Sequence, residues 1–374
     1  MNYNPLFDAH VEPRPDDDDS LILTWAYRGS DPESFARDIA VEQSIEFPAP
    51  YVRSREILDN VIPRILSIES DEGFARIRMS FNPEIARPDF VQLLNVLFGN
   101  VSMKDDVKLI DIQFPLCLTH NRGPRFGVDG IRQLTKAKPG SPVLASALKP
   151  MGLSVRAFCT VATRFVEMGM HIIKDDHGLS NQAYAPFEER VRDVSEAVAL
   201  ANEKYGRSCL YAPNISGPVD EIFDRARFAK KCGAGALMVA PGLMGYDVIR
   251  ALRDADLGLP VLSHPSFLGM CALNPLQGMT HAIAFGTLNR LAGADVIIFP
   301  NHGGRFAFSK TACQSIFDAS LGDSLDVLPS LPAPAGGMKV NNIEQIARDY
   351  GTAEFAALIG GDMYRQWAEN TSLE

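Results

Sequence analysis

The sequence predicts an α/β protein, with an N-terminal α+β (ferredoxin-like) domain followed by a (β/α)8 TIM barrel. Three observations predict it. Beyond residue 140, eight short and continuously apolar runs recur with helical segments between them, the pattern of a parallel sheet buried on both faces and closed on itself. Ahead of them, strands and helices alternate over about 120 residues, enough for one separate layer. Between the two patterns, HNRGPRFGVDG at 120–130 clusters Gly, Pro and Arg as a boundary does. The domains are therefore drawn as 1–125 and 126–374.

The first domain opens after the acidic run Asp16–Asp19, read as a solvated surface tail. LILTWAYR (21–28) alternates as a strand, and DPESFARDIAVEQS (31–44) carries an Asp N-cap with Pro at the first helical position. ARIRMSFNP (75–83) and KLIDIQFP (108–115) read as strands on either side of the helix PDFVQLLNVLFGN (88–100). After the helix GIRQLTK (130–136), the barrel strands are PVLASALKP, HIIKDD, CLYAPNI, ALMVAP, PVLSHP, VIIFPN, LPAPAGG and AALIGG. The helices between them include 154–169, 187–206, 221–233, 245–256, 278–293 and 343–351, several ending at Gly as a C-cap should.

Composition restricts the function. With 36 Lys plus Arg against 46 Asp plus Glu the net charge is −10, which disfavours a nucleic-acid partner. No apolar run reaches the ~18 residues of a membrane span, and the acidic start is unlike a signal peptide. A cytoplasmic protein is expected. Its six cysteines show no CxxC spacing, so disulfides and structural zinc are not expected. Cys117, between Leu116 and Leu118, reads as a buried small residue.

Barrel chemistry sits at the C-terminal strand ends. Here those ends carry Lys149; Lys174, Asp175, Asp176 and His177; Asn214; His264; Asn301 and His302; Gly336 and Gly337; Gly360 and Gly361. A period of two turns Lys174 and Asp176 to the same side. Burying both is costly without a metal, a partner charge or a covalent change; a plain Lys174–Asp176 ion pair is the alternative. Oxygen ligands with the His177 imidazole suit a divalent cation, which an ammonium cannot ligate. Lys149 could act as a general base if its pKa falls, or be a solvated rim lysine. The two Gly-Gly pairs end strands seven and eight, where many barrels bind phosphate. Arg305, in the Gly-rich segment PNHGGRFAFSK, would suit a mobile lid.

From about residue 20 onward, the order of GPRFG, LKPMGLS, IIKDDHGL, SHP, AGG and IGG resembles the large subunit of ribulose bisphosphate carboxylase. Its departures resemble the RuBisCO-like proteins (form IV), homologues without carboxylase activity. The resemblance implies a carbamylated lysine, formed with CO2, at Lys174. It places a Mg2+ or other divalent cation on Lys174, Asp176 and His177, a histidine where the family has a second carboxylate. The enolising lysine falls on Lys149, and the strand-five histidine on His264. The second lysine of the family's KPK motif is missing, and the distal-phosphate arginine, the strand-six histidine and the strand-seven serine become Pro265, Ile298 and Ala335. The glycines 336, 337, 360 and 361 remain for one phosphate, although Asp362 beside them would repel it unless turned away. A monophosphate substrate is therefore expected.

Arg305 takes the place of the lid lysine. Glu42 and Asn100 take the places of two site residues that reach into a neighbouring subunit, implying a homodimer or higher homo-oligomer with shared active sites. The family's longer C-terminal helical region has no counterpart in the 13 residues after Gly361. The expected reaction is metal-dependent enolisation of a ketose monophosphate, foremost isomerisation of 5-methylthioribulose 1-phosphate. Competing readings are tautomerisation by a 2,3-diketo-5-methylthiopentyl-1-phosphate enolase, decarboxylation or hydrolysis of 3-oxo-isoapionate 4-phosphate, and a non-catalytic binding scaffold.

Overall fold

The computed structural model describes residues 19–71, 73–87, 89–120, 122–323 and 325–370. The acidic run therefore lies outside the described residues except for Asp19. The chain divides into two compact units. One comprises residues 1–122, Gly269–Ala284 and 324–327; the other comprises Gly123–Leu268, Phe285–Asp323 and Leu328–Glu374.

In the first unit, β1 (Leu21–Tyr27) lies between β3 (Phe74–Phe81) and β4 (Val107–Gln113), antiparallel to both, and β2 (Arg64–Asp71) closes the far edge on β3. Their inward residues, Leu23, Trp25, Ile77 and Met79, are fully buried. Helix α1 (Pro32–Glu42) starts as expected, because the Asp31 carboxylate accepts from the Ser34 N–H at 2.9 Å and Pro32 holds the first helical position, an N-cap contributing about 1 kcal/mol. Asp89 caps α2 (Phe90–Phe98) in the same way, at 2.7 Å from the Gln92 nitrogen.

Several features depart from the expected outline, among them the helix expected over 278–293, whose first residues Gly278–Met279 are a strand and which is helical over Ala282–Thr287 and Leu288–Ala292. Strand β2 was not anticipated. The segment Gly269–Ala284, assigned above to the barrel, belongs to the first unit, since the short strand Gly278–Met279 pairs in parallel with β4 and the Lys108 ammonium donates to the Ala272 carbonyl at 3.1 Å. Cys117 is also exposed rather than buried: in its one-turn helix, Leu118 faces inward and Leu116 outward.

All eight barrel strands form where the apolar runs placed them. They are β5 (Val143–Leu148), β6 (Ile172–Asp175), β7 (Leu210–Ala212), β8 (Leu237–Val239), β9 (Val261–Ser263), β10 (Val296–Pro300), β11 (Leu331–Ala335) and β12 (Ala356–Leu358). The order β7-β6-β5-β12-β11-β10-β9-β8 is parallel throughout, and a bridge between Asn214 and Met238 joins β7 to β8. Small residues alternate with branched ones inside: Ala145, Ile172, Ala212, Leu262, Ile298 and Ala333 fill the interior as a packed core rather than a pore. The helices begin and end on local signals. Ser154 accepts from the Ala157 nitrogen at the start of Val155–Glu167, and Gly206, at φ 62°, ends Phe187–Tyr205 in the left-handed conformation glycine adopts without strain.

Candidate functional site

Strand β6 turns its side chains alternately. Asp175 points outward, where its carboxylate accepts from Arg190 Nε at 3.2 Å, Tyr211 Oη at 2.8 Å and the Asn214 N–H at 3.0 Å. Lys174 and Asp176, one residue to either side, share the opposite face, as the period of two requires. The expected alternative of a Lys174–Asp176 ion pair is not what forms. Asp176 pairs instead with the Lys149 ammonium, and it also accepts from Gly178 N at 3.1 Å and faces His177 Nδ1 at 3.1 Å. Lys174 is buried, donates to the Asp175 main-chain carbonyl at 2.9 Å and forms no ion pair among the described residues.

This arrangement sets the charges. Burial, opposed by Asp176 and reinforced by Lys149, pulls the Lys174 amine from 10.5 down to about 8. Burial pushes the Asp176 carboxyl up, but bonds from His177, Lys149 and Gly178 outweigh that and hold it well below the usual carboxylate range. The ring of His264 stacks on that of His177, 4.5 Å between centroids and 10° from parallel. Burial, reinforced by Lys174 and His177 close by, holds His264 well below the ordinary histidine value. Its Nδ1 accepts from the Ser266 N–H at 3.2 Å, so the hydrogen-bond pattern assigns the ring proton to Nε2. Two lysines, one carboxylate and a neutral imidazole donor thus converge, a constellation suited to an anionic substrate that exchanges a proton.

As unmodified side chains, no three His, Cys, Asp or Glu among the described residues are placed to hold a metal. Asp176 and His177 supply two donors, and a third requires Lys174 to become an oxygen ligand. The buried amine of Lys174, which gives up its proton more readily than an ordinary lysine, fits that conversion, and hence fits the expected cation.

The glycine pairs differ. At Gly337, φ is 71° and a Cβ would lie 3.3 Å from Gly304 Cα, so this pair is where the loop after β10 packs. Gly360 and Gly361 open the helix Gly361–Asn370, and a Cβ on either would meet nothing within 4 Å, leaving their backbone accessible. Asp362 turns away, accepting from Val340 N at 3.0 Å, Arg365 at 2.6 Å and Gln366 at 3.1 Å. Its charge is paired with the Arg365 guanidinium. Ile298 is buried in the apolar core and Ala335 packs against it, so neither supplies a polar ligand.

Arg305 does not join the cluster. It is exposed, with its guanidinium 5.0 Å from the Phe306 ring centroid. In the first unit, Asn100 Nδ2 donates to Glu42 Oε1 at 2.9 Å, bringing those two predicted residues together. Gln43, missed by sequence reasoning, fixes them by bonding the Val96 carbonyl at 2.8 Å and the Val101 nitrogen at 3.1 Å. Tyr364 was missed as well: its hydroxyl accepts from the Lys149 N–H at 2.6 Å and donates to the Ala147 carbonyl at 2.9 Å.

Comparison with known proteins gives this geometry a context. Residues 128–367 match the family described as ribulose bisphosphate carboxylase large chain, catalytic domain. The chain is 36% identical over 333 residues to a 5-methylthioribulose-1-phosphate isomerase of Rhodospirillum rubrum, covering 88% of this chain and 87% of that one. It is 31% identical over 310 residues to a 2,3-diketo-5-methylthiopentyl-1-phosphate enolase of Bacillus velezensis, covering 80% and 76%. The crystal structure of a Rubisco-like protein from Rhodopseudomonas palustris superposes with a TM-score of 0.83 at 33% identity, over 95% of this chain and 99% of that one.

Proposed function

Because this chain belongs to the ribulose bisphosphate carboxylase large-chain family, as one of its RuBisCO-like members, we propose that it enolises a ketose monophosphate, with isomerisation of 5-methylthioribulose 1-phosphate as its reaction. One observation carries this reading: the barrel mouth holds two lysines against one carboxylate, and the buried lysine is the one without a charged partner. Its amine, deprotonated above about pH 8, attacks CO2; an N–C bond forms, a proton leaves to solvent, and a carbamate oxygen results. That oxygen, with Asp176 and His177, holds Mg2+ or another divalent cation, which supplies polarisation of the substrate carbonyl.

Lys149 acts on the substrate. Its side chain is 40% exposed, while Asp176 fixes its direction; once the ammonium has given a proton to solvent, its nitrogen receives the carbon-bound proton beside the carbonyl. His264, neutral with its proton on Nε2, donates to the oxygen that gains charge. Backbone N–H groups at Gly360 and Gly361 receive the phosphate, with Asp362 turned aside. Returning the proton to a different carbon completes an isomerisation. Arg305 closes over the bound substrate. The Glu42–Asn100 pair completes the barrel site of a second copy, making the enzyme a homodimer or higher homo-oligomer. No helix among the described residues is long and apolar enough to cross a membrane.

The test follows deuterium from solvent into carbon-bound positions by NMR, with Mg2+ and bicarbonate supplied or withheld. Metal-dependent incorporation into 5-methylthioribulose 1-phosphate supports the reading. Turnover of the diketo phosphate or of 3-oxo-isoapionate 4-phosphate instead reassigns the substrate. A folded protein inert toward all three leaves the binding-scaffold reading.

A further inference from the structure

Along the β12 side of strand β5, the Val143 N–H and the Ala145 carbonyl bond to Phe355 and Ile359 across the ladder, at 2.9 and 2.8 Å. Strand alternation points the Ala147 carbonyl and the Lys149 N–H toward the same side. There β12 has already ended, and its chain has turned into Gly360 and Gly361. A buried backbone donor and acceptor are costly to leave unpaired. The side chain of Tyr364 satisfies both, its hydroxyl accepting from Lys149 N at 2.6 Å and donating to Ala147 O at 2.9 Å. Its ring is held edge-on by Phe165, with centroids 5.1 Å apart. One side chain thus prolongs the sheet by the two backbone groups that orient Lys149. It does so from the first turn of the helix that begins at Gly361.

We propose that Tyr364 is a positioning residue: by bonding the main chain of Lys149, its hydroxyl fixes where the Lys149 amine stands relative to the substrate. This rests on reading Lys149 as the group that acts on the substrate. Tyr364 acts through Lys149, by way of its main chain. A misplacement of a reacting group by about 1 Å can cost on the order of a hundredfold in rate. Loss of a single tether should cost less.

The test compares Tyr364→Phe, which keeps the ring against Phe165, with the parent enzyme. The expected result is a kcat for proton exchange lower by about tenfold, a KM changed less than about twofold, and a thermal midpoint within a few degrees. Two further readouts do not depend on turnover. Hydrogen exchange at the Lys149 amide should speed up by at least about tenfold, since its acceptor is gone. Acetylation of the Lys149 amine by acetic anhydride, normalised to exposed lysines by mass spectrometry, should change by more than about threefold.

Unaltered Lys149 amide exchange and acetylation would overturn the proposal, as would an unaltered kcat in an enzyme whose parent turns over substrate. If the parent turns over none of the ketose phosphates, the catalytic reading fails while the amide and acetylation readouts still decide whether Tyr364 places Lys149. Should Tyr364→Phe not fold, Phe165→Leu, which loosens the ring without deleting the hydroxyl, is expected to give the same changes in smaller measure. Its failure to move either labelling readout would count against the proposal.

Discussion

The two faces of strand β6 solve the same problem in opposite ways. On the outer face, Asp175 meets one guanidinium, one phenol and one backbone N–H, and Arg190 spends its remaining donors on the Ala185 and Ser180 carbonyls at 2.6 and 2.8 Å. Charge balances charge, and each polar group has a fixed partner. On the inner face, Asp176 pairs with Lys149, and Lys174 is buried with a main-chain carbonyl as its hydrogen-bond partner. The outer set is what a buried ion pair needs to be tolerated at all. The inner set is short of negative charge, and a short-charged cluster at the mouth of a barrel is a place for an anion to bind. Adjacent carboxylates, one ending strand β6 and the next just past it, are thus turned to opposite faces by the alternation of the backbone.

The most severe test of that division is Lys149→Met. Asp176 keeps its bonds to His177 and Gly178, so the fold should hold, while solvent proton exchange should fall by about a thousandfold, within the range general-base removal produces. Persistent exchange, followed by NMR in deuterated solvent, would assign the proton transfer to another group.

The outer face predicts the reverse outcome. Arg190→Met leaves the Asp175 carboxylate buried without its cation, at a cost of about 3–5 kcal/mol of stability, measured by urea unfolding. A variant that unfolds at the parental midpoint would show that Tyr211 and the Asn214 nitrogen suffice, and the contrast between the faces would be lost.

Lys174→Met should do something neither of these does: stabilise the protein. The unfolded chain titrates this amine near 10.5 and the folded one at about 8, so between those values the unfolded state holds the extra proton. Stability therefore rises with pH across that window and, below pH 8, carries the cost of a buried ammonium, on the order of 3 kcal/mol. The methionine variant, without bicarbonate, should be roughly 2–3 kcal/mol more stable at pH 7 and show no such slope between pH 8 and 10.5. It should also be inactive. A parental slope retained in the variant would place the titrating group elsewhere.

Much of this was legible in the sequence, for identifiable reasons. The eight apolar runs marked every barrel strand, because buried parallel strands leave a continuous signal. The alternation around Lys174 and Asp176 held because period two is a property of the backbone. Strand β2 was missed because RILSIESD ends in charges and its connection to β3 reads DEGF, without the Asn-Gly or Asp-Gly signal of a tight hairpin. The segment Gly269–Ala284 carries no pattern naming its partner, since pairing with β4 is settled by a strand more than 160 residues earlier. Tyr364 was hidden for the same reason: it meets Lys149 from 215 residues away. The partner of Asp176 stayed open in the sequence, because spacing places side chains on a face but does not say which of two lysines reaches the carboxylate.

The smallest expected effect concerns Arg305, the predicted residue that stands apart from the cluster. Exposed and stacked over Phe306, it forms no ion pair with Asp176. The loop has a fixed base, since Gly304 packs against Gly337 and Phe308 meets Phe285 edge-on at 5.5 Å, so a closing movement would be confined to the few residues between. Arg305→Ala should raise KM for a phosphorylated substrate by about fivefold, equivalent to about 1 kcal/mol of lost binding, and leave kcat nearly unchanged. That split separates a residue that captures substrate from Lys149, whose loss falls on kcat. A fall in kcat comparable to that of Lys149→Met would instead place the guanidinium at the reacting atoms and join the loop to the inner face.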